Sequence, residues 1–131
     1  CLVPANSWFE WSEPKKPYLI KNKENKIISF AGLYKIEKNG EKKFIIITSE
    51  ANGSLRKIHN RTPVVVKQKN FINWLGEDYK SALSILKPIN NNDYDFHPVS
   101  PEIGKVSNDN KNILEVCNHK ENDIPLFPNL F

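Results

Sequence analysis

The stretch KIISFAGLYKIEKNGEKKFIIIT, residues 26–48, decides how this chain folds. Its two halves, Lys26 to Tyr34 and Lys43 to Thr48, are rich in β-branched and aromatic side chains, the types that fit a pleated surface. Between them stands Asn39-Gly40, a pair that tolerates the positive φ of a tight hairpin turn. The two halves are therefore expected to pair antiparallel. Phe44 to Ile47 is apolar throughout, which predicts a central strand covered on both faces.

Outward from this hairpin, Tyr18-Leu19-Ile20, Pro63-Val64-Val65-Val66 and Asp95-Phe96-His97-Pro98-Val99 also read as strands. Tyr79, Ala82, Leu83 and Leu86 fall at helical spacing, and Pro88 stops the pattern. A shorter helix carries Phe71, Ile72, Trp74 and Leu75 and ends at Gly76. This mixture predicts an α+β domain round a mostly antiparallel sheet. The domain is expected to occupy residues 1–117, and residues 118–131 to form a tail. That tail is either disordered or packs Leu126, Phe127 and Phe131 as an extended strap.

A chain of 131 residues is long enough for one domain with a real core and too short for two. No apolar run approaches the length of a membrane span, so no membrane partner is expected. Cys1 and Cys117 are the only cysteines, too few for a disulfide framework, which predicts a reducing, cytoplasmic setting. Asn52-Gly53-Ser54 and Asn60-Arg61-Thr62 match the glycosylation pattern and read as accidental without a secretion signal. The net charge of +4 suits a polyanion partner without requiring one, because the basic residues are spread among acidic ones.

Three segments can carry chemistry. In Trp8-Phe9-Glu10-Trp11 a carboxylate sits among aromatic rings, whose desolvation would raise its pKa toward that of a proton carrier. The plainer reading is a glutamate at a strand edge. In Ile58-His59-Asn60-Arg61-Thr62-Pro63, a histidine and an arginine two apart at a strand start would share one side. They would set a proton donor beside a phosphate fork, or else be a solvated polar loop. His97, held extended before Pro98, is a ligand or a structural histidine. No paired metal-ligand motif, Gly-rich phosphate loop or serine elbow is present, and no metal or cofactor is expected.

Taken in order, Cys1-Leu2-Val3-Pro4-Ala5, the aromatic-Glu10-Trp11 run, Lys16-Pro17-Tyr18, Ala31-Gly32-Leu33, Ile46-Ile47-Thr48 with Ala51-Asn52, Ile58 to Val64, Trp74-Leu75 and Pro98-Val99-Ser100 resemble the successive motifs of one family. It is the SRAP family of SOS response-associated peptidases, or abasic-site-processing proteins. The resemblance implies a barrel-like mixed sheet with a few short helices, incomplete in this chain, and binding of single-stranded DNA with abasic sites by a monomer. It also implies a DNA–protein crosslink. The amine of an N-terminal cysteine forms a Schiff base with the open sugar aldehyde, and its thiol closes a thiazolidine. Autoproteolytic removal of a leader residue is associated with the same cysteine.

By motif position, the resemblance assigns Glu10 and His59 as catalytic, and Trp11 and Arg61 as DNA-binding. Asn6-Ser7 stands where the family usually has Asp-Gly, and Thr62 replaces a common methionine. The family's reactive cysteine opens a Cys-Gly-Arg segment well ahead of Cys-Leu-Val-Pro-Ala. Cys1 is therefore expected to match an internal cysteine, with the nucleophile upstream, and the chain alone is expected to be inactive. The alternatives are that Cys1 itself is a 1,2-aminothiol nucleophile, that the chain only binds single-stranded DNA through Trp8, Trp11 and lysines, or that it is a conventional thiol peptidase.

Overall fold

The computed structural model describes residues 1–118. Leu126, Phe127 and Phe131, and with them the expected strap, lie outside the described residues. The fold is α+β, with every strand pair antiparallel. The strands form three small sheets, none of which closes into a barrel among the described residues.

The first sheet joins β1 (Leu2–Ala5), β4 (Ile28–Ile36) and β5 (Lys42–Ile46) in the order β1-β4-β5. Asn39-Gly40 makes the expected turn: Gly40 has φ +83°, and its N–H donates to the Glu37 carbonyl. The second sheet has the order β2-β3-β8, from Ser7–Ser12, Lys16–Asn22 and Tyr94–Pro98. A two-stranded ribbon of β6 (Thr48–Glu50) and β7 (Arg61–Pro63) forms the third.

The expected central strand is corrected by the structure. β5 is an edge strand, and Phe44 and Ile45 are 59% and 63% exposed. The strand buried on both faces is β3, where the consecutive residues Leu19 and Ile20 are 5% and 1% exposed between β2 and β8. An apolar run reports what a strand can bury, and only the topology decides what covers it.

Two buried clusters hold the sheets together. Trp8, Ile20, Ile28, Phe30, Leu55 and Tyr94 belong to the larger one, in which Trp8 meets Phe30 and Tyr94 edge-on at ring separations of 5.6 and 5.4 Å. Trp8 is thus a core residue and is not available to stack on bases. Ala31, Val64 and Val66 form the smaller cluster, against which Phe71, Trp74, Ile85 and Leu86 pack.

The run Val64 to Val66 is not a strand, since β7 ends at Pro63. Its backbone instead ties two segments together: Ala31 N–H donates to the Val64 carbonyl, and Val64 N–H to the Ile47 carbonyl. The helices α1 (Phe71–Leu75) and α2 (Tyr79–Ile85) form as expected. Asp78 caps α2 by accepting from Lys80 N–H. Gly76 follows α1 in an extended conformation, not the left-handed one of a glycine cap. Only part of the α2 stripe is covered, for Tyr79 and Leu83 are mostly exposed.

Candidate functional site

β2 carries the first functional group. Its pleat places Trp8 and Glu10 on one face, and pairing of Glu10 with Tyr18 of β3 fixes the register. The core position of Trp8 draws that face inward, leaving the Glu10 side chain 19% exposed. Burial raises the Glu10 pKa above its ordinary value. The nearby His59 and the Trp8 N–H oppose that rise without cancelling it. Trp8 Nε1 itself closes no well-formed hydrogen bond.

His59 comes from the loop that ends at β7. Leu55 and Ile58 just before it are buried in the core, and Leu55 accepts hydrogen bonds from the N–H groups of Ile58 and His59. These anchors bring His59 Nδ1 to 3.7 Å from Glu10 Oε2, within ion-pair range and beyond a direct hydrogen bond.

The same Nδ1 lies 3.0 Å from the Arg61 carbonyl oxygen and 3.3 Å from the Arg61 nitrogen. A protonated Nδ1 donates to the carbonyl, and an unprotonated one accepts from the Arg61 N–H. The ring therefore keeps a backbone partner in either state. No hydrogen bond to Nε2 is made among the described residues, which leaves that nitrogen for an outside group.

Arg61 opens β7, and its guanidinium lies along β6. Nε donates to Thr48 Oγ1 at 2.8 Å and Nη2 to the Thr48 carbonyl at 2.6 Å. Two of its five N–H donors are used in this way, and the exposed side chain keeps the rest. His59 precedes the strand, so the expected same-side pair is replaced by a ring folded onto the arginine backbone. Nothing in the sequence marked Thr48 as the residue that aims this arginine.

Glu10, His59 and Arg61 are thus brought together. Trp11 is not with them, because the pleat turns it to the other face of β2, where it is 44% exposed. His97 is structural here, with Nε2 2.9 Å from the Leu114 carbonyl oxygen. Cys1 belongs to the β1-β4 ladder: its nitrogen donates to the Gly32 carbonyl at 2.8 Å, and Gly32 N–H donates back to its carbonyl. No hydrogen bond or ion pair joins Cys1 to Glu10 or His59 among the described residues. No group of three or more potential metal ligands occurs among them either, and no helix there is long and apolar enough to cross a membrane.

A carboxyl biased toward its neutral form, beside an imidazole held in either protonation state, can take up and return protons. An arginine on a short ribbon beside it can receive an anion.

Comparison with known proteins agrees with the motif order. The chain is 32% identical over 130 residues to "Abasic site processing protein YoaM" of Bacillus subtilis, covering 91% of this chain and 57% of that protein. It is 27% identical over 121 residues to "Abasic site processing protein YedK" of Escherichia coli, covering 85% and 54%. Among solved structures, a Bacteroides thetaiotaomicron protein superposes with a TM-score of 0.76 at 29% identity, covering 90% of this chain and 56% of that one. The chain thus spans about half the length of the relatives it matches. The model of the family "SOS response associated peptidase (SRAP)" matches residues 1–106, and the chain belongs to that family.

Proposed function

We propose that this chain carries the acid–base and phosphate-binding part of a protein that processes abasic sites in single-stranded DNA through a covalent crosslink. The observation that carries this reading is the pairing of a partly buried Glu10 with His59 at 3.7 Å, beside the exposed Arg61. The names of the relatives support the substrate class.

The chemistry needs proton transfers at two places. His59, through Nε2, donates a proton to the ring oxygen as the sugar opens to its aldehyde. Glu10 as carboxylate takes the proton released when a cysteine amine adds to that aldehyde. The resulting carboxylic acid returns it to the carbinolamine hydroxyl, which leaves as water and gives the Schiff base. Addition of the cysteine thiol across the C=N bond, its proton passing to nitrogen, closes the thiazolidine. Arg61 holds a neighbouring phosphate, and Trp11 contacts the strand from the other face of β2. The cysteine is supplied by a segment ahead of Cys1, since Cys1 is engaged in the ladder with Gly32.

The test is a denaturing gel of a single-stranded oligonucleotide with one abasic site. It is mixed with the chain alone and with the chain preceded by a family segment that begins Cys-Gly-Arg. A shifted band with the longer protein alone is expected, lost when its amine is blocked. A complex that binds but never survives denaturation would leave a non-covalent DNA-binding module as the function. A band with the chain alone would assign the nucleophile to Cys1.

A further inference from the structure

Two asparagines of the chain, Asn39 and Asn52, stand directly before a glycine. Such a pair is reactive, because glycine has no Cβ to shield its backbone nitrogen from the asparagine amide carbon. Both pairs are exposed, yet they are held differently. At the β4–β5 turn, Asn39 Oδ1 accepts from the Glu41 N–H at 3.0 Å, and the Gly40 N–H donates to the Glu37 carbonyl at 2.9 Å. Side chain and nitrogen are both engaged there. At Asn52-Gly53, neither the asparagine side chain nor the glycine N–H makes a hydrogen bond among the described residues.

The fold requires the glycine at 53. Its φ of +51° lies in the left-handed region, and a Cβ there would stand 2.5 Å from the Asn91 side-chain amide. The pair also lies in a sensitive place. Just before it, the buried Ala51 donates its N–H to the Asn60 carbonyl, and the Asn52 carbonyl accepts from the Arg56 N–H. Two residues after it, the Leu55 carbonyl accepts from the N–H groups of Ile58 and His59. The loop from Ala51 to Asn60 is thus closed at its ends by a backbone bond, with His59 carried inside it.

We propose that Asn52-Gly53 is a self-modification site, at which the folded protein converts Asn52 to aspartate and isoaspartate and so loosens the loop that holds His59. The Gly53 nitrogen gives its proton to water and attacks Asn52 Cγ. The bond from Cγ to the side-chain nitrogen breaks, ammonia leaves, and a five-membered imide joins the two residues. Water then opens that ring. Attack at Cγ restores the main chain and leaves aspartate, whereas attack at the backbone carbonyl leaves isoaspartate. Each product carries a new negative charge, and isoaspartate also adds a carbon to the main chain inside the closed loop.

The experiment holds the full 131-residue chain in mildly alkaline buffer, folded and in urea, and digests it at intervals. Mass spectrometry follows the gain of a single mass unit in the peptides that contain Asn39 and Asn52, and an isoaspartyl methyltransferase counts the isoaspartate. No DNA is present, so the outcome is independent of the proposed crosslinking. In the folded chain Asn52 should convert about tenfold faster than Asn39, the retardation that two hydrogen bonds give the Asn39-Gly40 pair. In urea the two rates should be similar. Asn52→Gln should remove the fast conversion.

In the purified isoaspartate product, the Ile58 and His59 amides should exchange about tenfold faster than in the parent. Asn52→Asp adds the charge without lengthening the chain and should keep the parent's exchange. Conversion of Asn39 first, equal rates at both asparagines in the folded chain, or no conversion of Asn52 would overturn the site. An isoaspartate product whose amides exchange like the parent's would overturn its effect on the His59 loop.

Discussion

His59 Nδ1 stands 3.7 Å from Glu10 Oε2 and 3.0 Å from the carbonyl oxygen of Arg61, so one ring nitrogen looks toward both an acid and the backbone of a base. This places the protonation of Glu10, the state of His59 and the position of Arg61 in one local arrangement. It also makes each separately testable.

The pKa of Glu10 in the folded protein lies above its ordinary value of 4.5, with burial the first cause. The folded state then holds a proton that the unfolded state has released. Stability conferred by the protonated form is full below the ordinary glutamate range and is lost as pH rises through the higher folded value. Glu10→Gln, which keeps the shape and removes the charge, should equal the wild type in acid and exceed it at neutral pH. Urea unfolding at both pH values checks this, and a neutral-pH loss of stability in the variant would contradict it.

Trp8 Nε1 is buried and closes no well-formed hydrogen bond, but its N–H lies near enough to the Glu10 carboxyl to oppose the rise in the Glu10 pKa. Trp8→Phe retains a ring in the core and deletes that N–H. The Glu10 pKa, followed by carboxyl carbon NMR, should move further up. The smaller ring should cost about 1–3 kcal/mol of stability. An unchanged titration would leave Trp8 with packing alone.

Removing the guanidinium tests the phosphate role of Arg61. Arg61→Ala should reduce the slope of log K against log salt for single-stranded DNA by about 0.7, the share of one phosphate contact. Thr48→Val, which deletes one of the two groups that aim the side chain, should weaken binding while keeping that slope. Titrations of a labelled oligonucleotide at several salt concentrations distinguish the two. Equal slopes for wild type and Arg61→Ala would take Arg61 out of the DNA interface.

Gly32 of β4 exchanges backbone hydrogen bonds with Cys1, just ahead of β1. A Cβ added there would lie 2.8 Å from Cys1 Sγ, 3.2 Å from the Ile45 carbonyl oxygen and 3.2 Å from Val3 Cγ2. Gly32→Ala should therefore cost about 1–3 kcal/mol. Because the tightest contact is the sulfur, the cost should shrink by about 0.5 kcal/mol or more in a Cys1→Ala background. Strictly additive effects in a denaturation cycle would assign the crowding to backbone.

The hairpin at Asn39-Gly40 and both helices were legible because local turn chemistry and periodicity encode them. The coverage of Phe44 to Ile47 was not, since an apolar run reads alike on a buried strand and on an open edge. β2 was legible as the strand of the plainer reading of Glu10, though not its bounds, while β1 was not set apart because Pro4 interrupts its apolar pattern, nor β6 because it is only three residues long. For the site, motif order singled out Glu10, His59 and Arg61. Their contact depends on how the loop after Leu55 crosses β2, which no local pattern records. Thr48 carried no signal at all: a threonine at a strand start is ordinary until its hydroxyl is seen under a guanidinium.

The central claim is that Glu10 and His59 move protons at an abasic site, and crosslinking rate tests it most directly. The chain preceded by a Cys-Gly-Arg family segment would be mixed with abasic single-stranded DNA at matched saturation, as wild type, Glu10→Gln and His59→Ala. The covalent band would be timed on a denaturing gel. The account predicts rates about a hundredfold or more below wild type for both variants, with non-covalent affinity retained. Wild-type rates in both would contradict it and leave the Glu10–His59 contact a structural one.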